Sequence, residues 1–433
     1  MAALGSVGRG RQGALNLAAF LLPALSLGLP SGYSWGAGLM VLLGLVALPQ
    51  AIAVFPNWPR SLRLWSTAML VMGLAWALHS RVHGQWLWTT NGLDRAVKYG
   101  LALVALVAVV RAAPVSTAFL RWGCWAGAAG AGLLAAWQWW AHDGDRASGY
   151  TNAIQFGNLA LLLALWSWVW SRHETRPLLR WTGRVAMLLG GLASVASGSR
   201  GGWVVAPVLV FLVLLLDRAA YVHGAPGRLR NMLAALGLVL SASLAVLLLP
   251  PVQERTALAV QEVRSWQTTG EAHSSVGHRL EHWVMAWNIA LEKPVLGWGQ
   301  VAYEERMQEM VEEGRVSSVV LEFNHAHNEW LDMFAKRGLV CVLALLIFFA
   351  VPASLYYQAL RQRPAGHPSA HTALALCGLL TVVGFVGFGM TQVMFAHNNA
   401  NMMYLFMNTL WLAALVAPAG VASARSSTAA VNV

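Results

Sequence analysis

The residues best suited to do chemistry lie in one short stretch, HAHNEWLD at residues 325–332. An unperturbed histidine has a pKa of about 6.5, so it can take a proton near neutral pH as a general base. This pattern predicts that one of the two histidines, His325 or His327, is the base, with Glu329 or Asp332 orienting its ring. The structural alternative is a capped helix start in which Asn328 is the N-cap.

Two arginines are candidates for binding an anion. Arg200 lies in SGSRGG (residues 197–202) between two apolar runs, and Arg279 lies in HRLEHW (residues 278–283). A guanidinium holds phosphate oxygens through two parallel hydrogen bonds, which lysine cannot reproduce. An arginine at bilayer depth costs about 3 kcal/mol, so Arg200 is expected at the outer interface or facing a polar cavity. The alternatives are an interfacial anchor for Arg200 and a solvated, glutamate-paired Arg279.

A metal site is the weaker interpretation of these motifs. The His-x-His of residues 325–327 brings both rings together on a strand but not on a helix, and no HExxH is present. The DGD of residues 143–145 resembles a metal-binding DxD, but such turns are common. We therefore expect no metal and no other cofactor.

Composition indicates a membrane protein, whose helices would position these residues at one face of the membrane. Of 433 residues, 57% are hydrophobic and 11% charged, whereas soluble domains carry about 25% charged residues. A spanning helix needs roughly 20 apolar residues. Stretches of this kind predict an all-α polytopic protein with about twelve spans: a hairpin over 12–59, then 61–80, 96–113, 118–141, 151–171, 181–199, 201–222, 229–250, 328–357, 369–395 and 398–418.

The polar segment 251–327 is predicted to be a long loop between spans nine and ten of one domain, residues 1–433. Alternating spans from cytoplasmic termini gives the cytoplasmic side 16 Lys and Arg. The short outer loops receive five: Arg81, Arg95, Lys98, Arg146 and Arg200. The positive-inside rule therefore places the loop outside the cytoplasm. The net charge of +11 reflects this orientation, and no nucleic-acid-binding motif accompanies it.

The long loop is expected to contain a helix from Ser275 to Leu291. Apolar residues recur there at helical spacing, and Pro294 and Gly297 are predicted to end the helix. Its Trp-rich face is expected to lie on the membrane surface or to cap the helix bundle.

Taken in order, these features resemble the O-antigen ligase/O-antigen polymerase superfamily. The resemblance depends on the span pattern, the long outer loop before the last three spans, the SRG turn, the arginine on the loop helix, KPVLGWG at 293–299 and the His-Asn motif at 327–328. Its most specific part is residues 275–338.

The resemblance implies a GT-C-type glycosyltransferase of the bacterial inner membrane whose active site faces the periplasm. Its donor would be an undecaprenyl diphosphate-linked glycan, and the bilayer its surroundings. Arg200 and Arg279 match the two arginines of the family and would stabilise the diphosphate, and His327 matches the histidine and would be the base. His325, Asn328 and Glu329 would support it.

Within the superfamily, the ligase is the favoured interpretation: O-antigen polysaccharide would pass to a sugar hydroxyl of the lipid A–core, without metal and with inversion. A polymerase is the first alternative. A protein O-oligosaccharyltransferase is less favoured, because those enzymes typically have an additional C-terminal region. A flippase or transporter is the alternative of another class, although the candidate residues cluster at the outer ends of spans rather than at the midplane.

Overall fold

The computed structural model describes residues 2–52, 58–84, 93–111, 115–142, 145–218, 250–362 and 369–416, with the isolated positions 233, 236 and 237. Across these ranges the chain is all-α, apart from turns and two short 3-10 segments at Ser318–Glu322 and Met394–Ala396. The helices are α1 (Ala2–Leu25), α2 (Tyr33–Ile52), α3 (Arg60–Val82), α4 (Leu93–Arg111), α5 (Thr117–Ala141), α6 (Ala153–Arg172), α7 (Pro177–Ala196), α8 (Arg200–Arg218), α9 (Pro250–Thr269), α10 (Ser275–Glu292), α11 (Gln300–Glu312), α12 (Glu329–Arg361), α13 (Ala370–Phe388) and α14 (Asn398–Val416).

The predicted spans coincide with helices wherever the structure describes them. The exception is the span predicted at 229–250, which lies outside the described residues apart from a few positions. By length and apolar composition, five described helices are able to cross a membrane: α3, α6, α8, α12 and α13. The all-α class is thus confirmed, the five apolar helices support a multi-pass membrane protein, and the number of spans stays a prediction.

An aromatic cluster joins α3, α12, α13 and α14. Trp65 stacks on Phe348 with ring centroids 5.3 Å apart, and Tyr404 lies 4.9 Å from both Phe348 and Phe385. Trp65 Nε1 donates to Thr409 Oγ1 at 3.0 Å, so the indole N–H is satisfied where no water would reach it. In lipid, such packing and hydrogen bonding, rather than exclusion from water, hold helices together.

Small residues allow the first helices to pack closely. A Cβ added at Gly44 would lie 2.0 Å from Val104 O, and one at Gly127 would lie 2.1 Å from Pro23 O. The α2–α4 and α5–α1 contacts therefore depend on the absence of a side chain at these positions, as is usual in helix packing within membranes.

Ion pairs gather at one end of the bundle. Arg121, near the start of α5, pairs with Glu174 after α6, and Arg172 at the end of α6 pairs with Asp217 at the end of α8. With spans alternating from cytoplasmic termini, Glu174 and Asp217 are also the two acidic residues assigned to the cytoplasmic side. Their pairing shows that the ends predicted to share one side of the membrane do lie together.

The long loop folds around its own small core. The predicted loop helix is confirmed as α10, and Ser274 caps it by accepting the Gly277 N–H at 3.0 Å. Met285 and Ile289 of α10 belong to this core. The predicted Trp-rich face is not the buried one: Trp287 is half exposed because α10 turns the opposite face towards the core.

The segment 294–299 is inserted into the hydrogen-bond pattern of α12, an arrangement that we call the splice. At this point α12 departs from helical geometry, at Gly338 (φ 69°, ψ −176°). In a regular helix the amides of residues 339 and 340 would bond to the carbonyls of 335 and 336. Here both amides and both carbonyls bond to the inserted segment, so no backbone group is lost. The four bonds are Leu339 N to Pro294 O (2.8 Å), Val340 N to Val295 O (3.3 Å), Trp298 N to Ala335 O (3.1 Å) and Gly299 N to Lys336 O (2.8 Å).

The KPVLGWG and KRG motifs are explained by this splice. Gly297 and Gly338 both have φ near +70°, and a Cβ on either would lie about 2.4 Å or less from the opposing backbone. Glycine is required at both positions for conformation and for space. The splice fixes α10 against the first turns of α12, where the His-Asn motif begins.

Candidate active site

Three arginines converge on one cavity of about 420 Å³. It is bounded by the start of α6, the turn between α7 and α8, the start of α10 and the turn after α13. Arg200 and Arg279, the two arginines singled out from sequence, both line it, and Arg146 is the third. Of the described residues that line the cavity, none is acidic.

The small residues around Arg200 let other groups approach the turn. Arg146 Nε donates to Ser197 O at 2.8 Å, and a Cβ at Gly198, where φ is +63°, would lie 3.1 Å from Arg146 Nε. A Cβ at Gly201 would lie 2.0 Å from Thr391 Oγ1. The absence of side chains at Gly198 and Gly201 therefore leaves room for Arg146 on one side of the turn and for the segment after α13 on the other.

The charge in this cavity favours an anion. The pKa of Arg279 is lowered by burial first and then by the neighbouring charges of Arg200 and Arg146, with Glu262 opposing the shift. An arginine whose pKa is lowered still carries its charge at neutral pH. Three cations close enough to repel one another form a site that an anionic group with several oxygens would stabilise.

A cluster of four histidines lies next to the cavity. The ring of His327 lies 4.2 Å from His325, 6.1 Å from His278 and 6.0 Å from His282. Phe323 also contacts this cluster, with its ring centroid 4.8 Å from that of His327. The structure thus brings His325 and His327 together on non-helical backbone, and it adds two histidines of α10 that the sequence analysis quoted but gave no role.

Two pairs of neighbouring residues connect His327 with the cavity. Arg279 lines the cavity while His278 faces the ring of His327. Thr391 lines the cavity while Gln392 is hydrogen-bonded to His327. In both segments, therefore, a residue that lines the cavity is the direct neighbour of a residue that contacts His327.

The partner of the His327 ring corrects the sequence analysis. Gln392 Oε1 lies 3.3 Å from His327 Nδ1 and also accepts the Val393 N–H. An amide oxygen can only accept, so Nδ1 carries the hydrogen and Nε2 keeps its lone pair. The orienting group is a glutamine, not Glu329 or Asp332. Gln392 had no recognisable sequence signal, because it lies in a turn 65 residues further along.

The two carboxylates instead hold the backbone that carries the site. Glu329 accepts the Phe395 N–H at 2.9 Å, and Asp332 accepts the Ala326 N–H at 3.2 Å and pairs with Lys336 at 2.6 Å. They fix the segment after α13 and the non-helical segment before α12, respectively. Both carboxyl groups are buried, so these bonds also satisfy polar atoms that water does not reach.

Asn328 is the N-cap, as the structural alternative predicted. Its Oδ1 accepts the amides of Trp330 (3.0 Å) and Leu331 (3.2 Å), and its Nδ2 donates to Met390 O at 3.1 Å. The same residue therefore starts α12 and holds the turn that carries Gln392. The structural and functional interpretations of the motif are compatible, because the cap places His327.

The backbone of His327 is strained. Its φ is +50°, the left-handed region that non-glycine residues rarely adopt, at a cost of order 1 kcal/mol. Burial, together with the charges of His325 and Arg279, lowers the pKa of His327 to about 3. At neutral pH the ring is therefore neutral and able to accept a proton.

Metal binding has little geometric support. Within the described ranges, no three His, Cys, Asp or Glu side chains are arranged to hold a metal ion. The DGD motif lies partly outside the described residues, and Asp145 is exposed.

Comparison with known families extends the sequence resemblance. Residues 185–346 match the family model described as O-antigen ligase, and this range contains Arg200, Arg279 and His327. This part of the chain is therefore similar to the O-antigen ligase family. Members of this family are ligases and polymerases of lipid-linked glycans. An uncharacterized protein of Haemophilus influenzae (strain ATCC 51907 / DSM 11121 / KW20 / Rd) is 26% identical over 279 residues, which cover 63% of this chain and 67% of that protein.

Proposed function

We propose that this protein is an O-antigen ligase of the bacterial inner membrane. It transfers O-antigen polysaccharide from undecaprenyl diphosphate to a sugar hydroxyl of the lipid A–core. The observation that carries the proposal is the cavity lined by Arg146, Arg200 and Arg279 with the oriented imidazole of His327 beside it. The similarity of residues 185–346 to the O-antigen ligase family supports lipid-linked glycan substrates.

The reaction needs charge stabilisation on the donor side. As the bond between the anomeric carbon and the phosphate oxygen breaks, its electrons remain on undecaprenyl diphosphate. Preorganised cations stabilise that developing charge, and the cavity supplies three. A diphosphate is acidic enough to leave without a general acid.

On the acceptor side, His327 Nε2 takes the hydroxyl proton as the oxygen forms its bond to the anomeric carbon. Attack from the face opposite the diphosphate inverts the configuration. His327 is a weak base in the free protein, because Arg279 and burial lower its pKa. A bound diphosphate would offset the charge of Arg279 and raise the basicity of His327, so donor binding would prepare the base.

This proposal includes the topology. About twelve GT-C-like spans, cytoplasmic termini and a periplasmic 251–327 loop place the cavity and His327 on the periplasmic side. Arginines provide the positive charge that a divalent cation would otherwise supply, so we expect transfer without metal.

The lipopolysaccharide banding pattern of a deletion strain tests the function. Loss of a ligase leaves bare lipid A–core while carrier-linked polymer accumulates in the periplasm. Core bearing one repeat unit would instead identify a polymerase, and carrier-linked units trapped in the cytoplasmic leaflet would identify a flippase. Normal lipopolysaccharide with an under-glycosylated protein would identify a protein O-oligosaccharyltransferase.

In vitro transfer tests the chemistry directly. Purified protein, carrier-linked glycan and lipid A–core should give product in excess EDTA. Loss of activity that one divalent ion restores would contradict metal independence.

A further inference from the structure

Exposed apolar side chains form a continuous surface on the long loop. We name this the apolar shelf; its members are Val284, Trp287, Leu291, Val295 and Leu296. Trp287 is 50% exposed, Leu291 55% and Val295 60%, although α10 already buries its opposite face in the loop core. Clustered exposure of this kind marks a surface that contacts something apolar.

The splice fixes the position of the shelf relative to α12. Pro294 and Val295 accept the amides of Leu339 and Val340, so the shelf residues after α10 lie beside residues 339–340. From there, exposed apolar side chains continue along one face of α12: Leu339, Val340, Leu343, Leu346 and Ile347. The shelf is thus continuous with the exposed apolar side of α12.

The composition of α12 places the membrane boundary at the splice. The helix has 33 residues, about 50 Å of length, whereas crossing the hydrocarbon core takes roughly 20 residues. Before its last turn, the charged residues of α12 all precede the kink at Gly338; they are Glu329, Asp332, Lys336 and Arg337. The apolar part begins immediately after it, at the level of Val295.

We infer that the shelf is inserted in the outer leaflet of the bilayer, with α10 lying along the membrane surface. An amphipathic interfacial helix buries its apolar face about 5–10 Å deep at the headgroup boundary. Lys293 stands at the end of α10 with its ammonium 3.5 Å from the centroid of the Trp298 ring, a position from which it can reach lipid phosphates. The insertion depends on α12 spanning the membrane, and the choice of leaflet depends on the predicted orientation; neither depends on the proposed reaction.

The insertion has a structural consequence for the cavity. Arg279 lies on the second turn of the same helix. A helix held in the interface would keep this guanidinium near the depth of lipid phosphates. The rigid splice at 294–299, rather than the loop as a whole, would set that depth.

Collision accessibility of a nitroxide label tests the insertion. Cys124, Cys341 and Cys377 are free and buried, and their replacement by alanine gives a background for single cysteines. Labels at Val284→Cys, Leu291→Cys and Val295→Cys would be measured in the full-length protein in phosphatidylcholine/phosphatidylglycerol nanodiscs. Leu346→Cys is the lipid reference, and Gln308→Cys, exposed on α11, is the water reference.

We expect the three shelf labels to collide with oxygen in preference to a nickel chelate, several-fold more than the label at 308. Nickel accessibility equal to that at 308 would overturn the insertion. Exclusion of both reagents would also overturn it, because a second copy or another protein would then cover the shelf.

A charge substitution provides a second test with a matched control. Leu291→Asp should shift the label at 284 towards water, because a carboxylate resists burial in lipid. Leu258→Asp changes an exposed leucine on α9 and should leave that label unchanged. An equal response to both substitutions would contradict a specific role for the shelf.

Discussion

At the residue scale, the two nitrogens of His327 have different roles. Nδ1 is hydrogen-bonded to Gln392, and the surrounding contacts hold the backbone in the strained left-handed region. An observed outlier of this kind, at the edge of a cation-lined cavity, favours function over packing. The neighbouring His325 shares the ring contact, but its Nδ1 is buried without a partner in the described structure.

We expect His327→Ala to lose roughly 10²–10⁴-fold in transfer rate while still binding the donor. His327→Asn should behave the same and is the better folding control, because asparagine tolerates the left-handed region. His325→Ala should be milder, and His273→Ala, at an exposed loop histidine, should be neutral. The measurement is in vitro transfer with donor binding in parallel. An inactive His325→Ala beside an active His327→Ala would mean that His325 is the base.

Arg279→Lys and Arg200→Lys should each reduce transfer about tenfold or more. Lysine keeps the charge but loses a charge-assisted hydrogen bond worth about 1.5–3 kcal/mol. Arg306→Lys is the matched control, because Arg306 pairs with Glu292, Glu309 and Glu313 away from the cavity. Rates from the same transfer assay would be compared. Near-normal activity of a cavity variant would exclude phosphate binding through two hydrogen bonds from that guanidinium.

The pH profile should show how Gln392 acts. Because the pKa of His327 is about 3, its neutral form persists well below pH 6.5, and kcat/KM should show no acid limb from this group down to about pH 5. In Gln392→Glu, a carboxylate would favour the imidazolium and raise that pKa. Protonation would then remove the base at higher pH, so the acid limb should move upward. A variant with an unchanged profile would show that Gln392 does not contact the working base.

At the element scale, the important feature is the exchange of hydrogen bonds between α12 and residues 294–299. It lets a membrane-spanning helix break without leaving a polar group unpaired. His79 Nε2 also lies 2.8 Å from Lys336 O, which connects α3 to the same point. The loop helix α10, and with it Arg279, is therefore fixed relative to the bundle.

Gly297→Ala should lower the free energy of unfolding by about 3 kcal/mol or more, because its Cβ would lie 2.4 Å from the Arg337 backbone amide. Gly314→Ala is the control: φ is +68° there too, but nothing lies within 4 Å, so only the conformational cost of about 1 kcal/mol applies. Thermal unfolding of both variants in detergent measures the difference. Equal shifts would mean that the splice adds no stability beyond the glycine conformation.

At the scale of the whole molecule, charge distribution and packing support the same sidedness. The predicted cytoplasmic acids pair at one end, and the arginine cavity lies at the other. The basic residues that depart from the positive-inside pattern have specific contacts: Arg95 donates to Ala396 O and Lys98 to Asn398 Oδ1. These contacts give both residues a structural role on the side that is predicted to face outward.

Reporter tags at 145 and 310 should be periplasmic, and tags at 176 and 365 cytoplasmic. The expectation follows from the 16-to-5 distribution of basic residues. Alkaline phosphatase and green fluorescent protein fusions give opposite readouts on the two sides. A cytoplasmic report at 310 would contradict the proposed reaction, since donor and site would lie on different faces.

The sequence alone predicted the apolar helices, the loop helix α10, the capped start at Asn328 and the resemblance to the O-antigen ligase family, because hydrophobic runs, caps and motif order are local properties of the chain. It also identified Arg200, Arg279 and His327 as candidates. It did not predict α9 or α11. The tertiary structure decided what those residues contact. Arg146 and Gln392 had no local signal, and α10 buries the face opposite to its tryptophans. Such pairings join segments far apart in the chain, and they depend on which helix ends meet at one side of the bundle, a property that no stretch of sequence contains by itself.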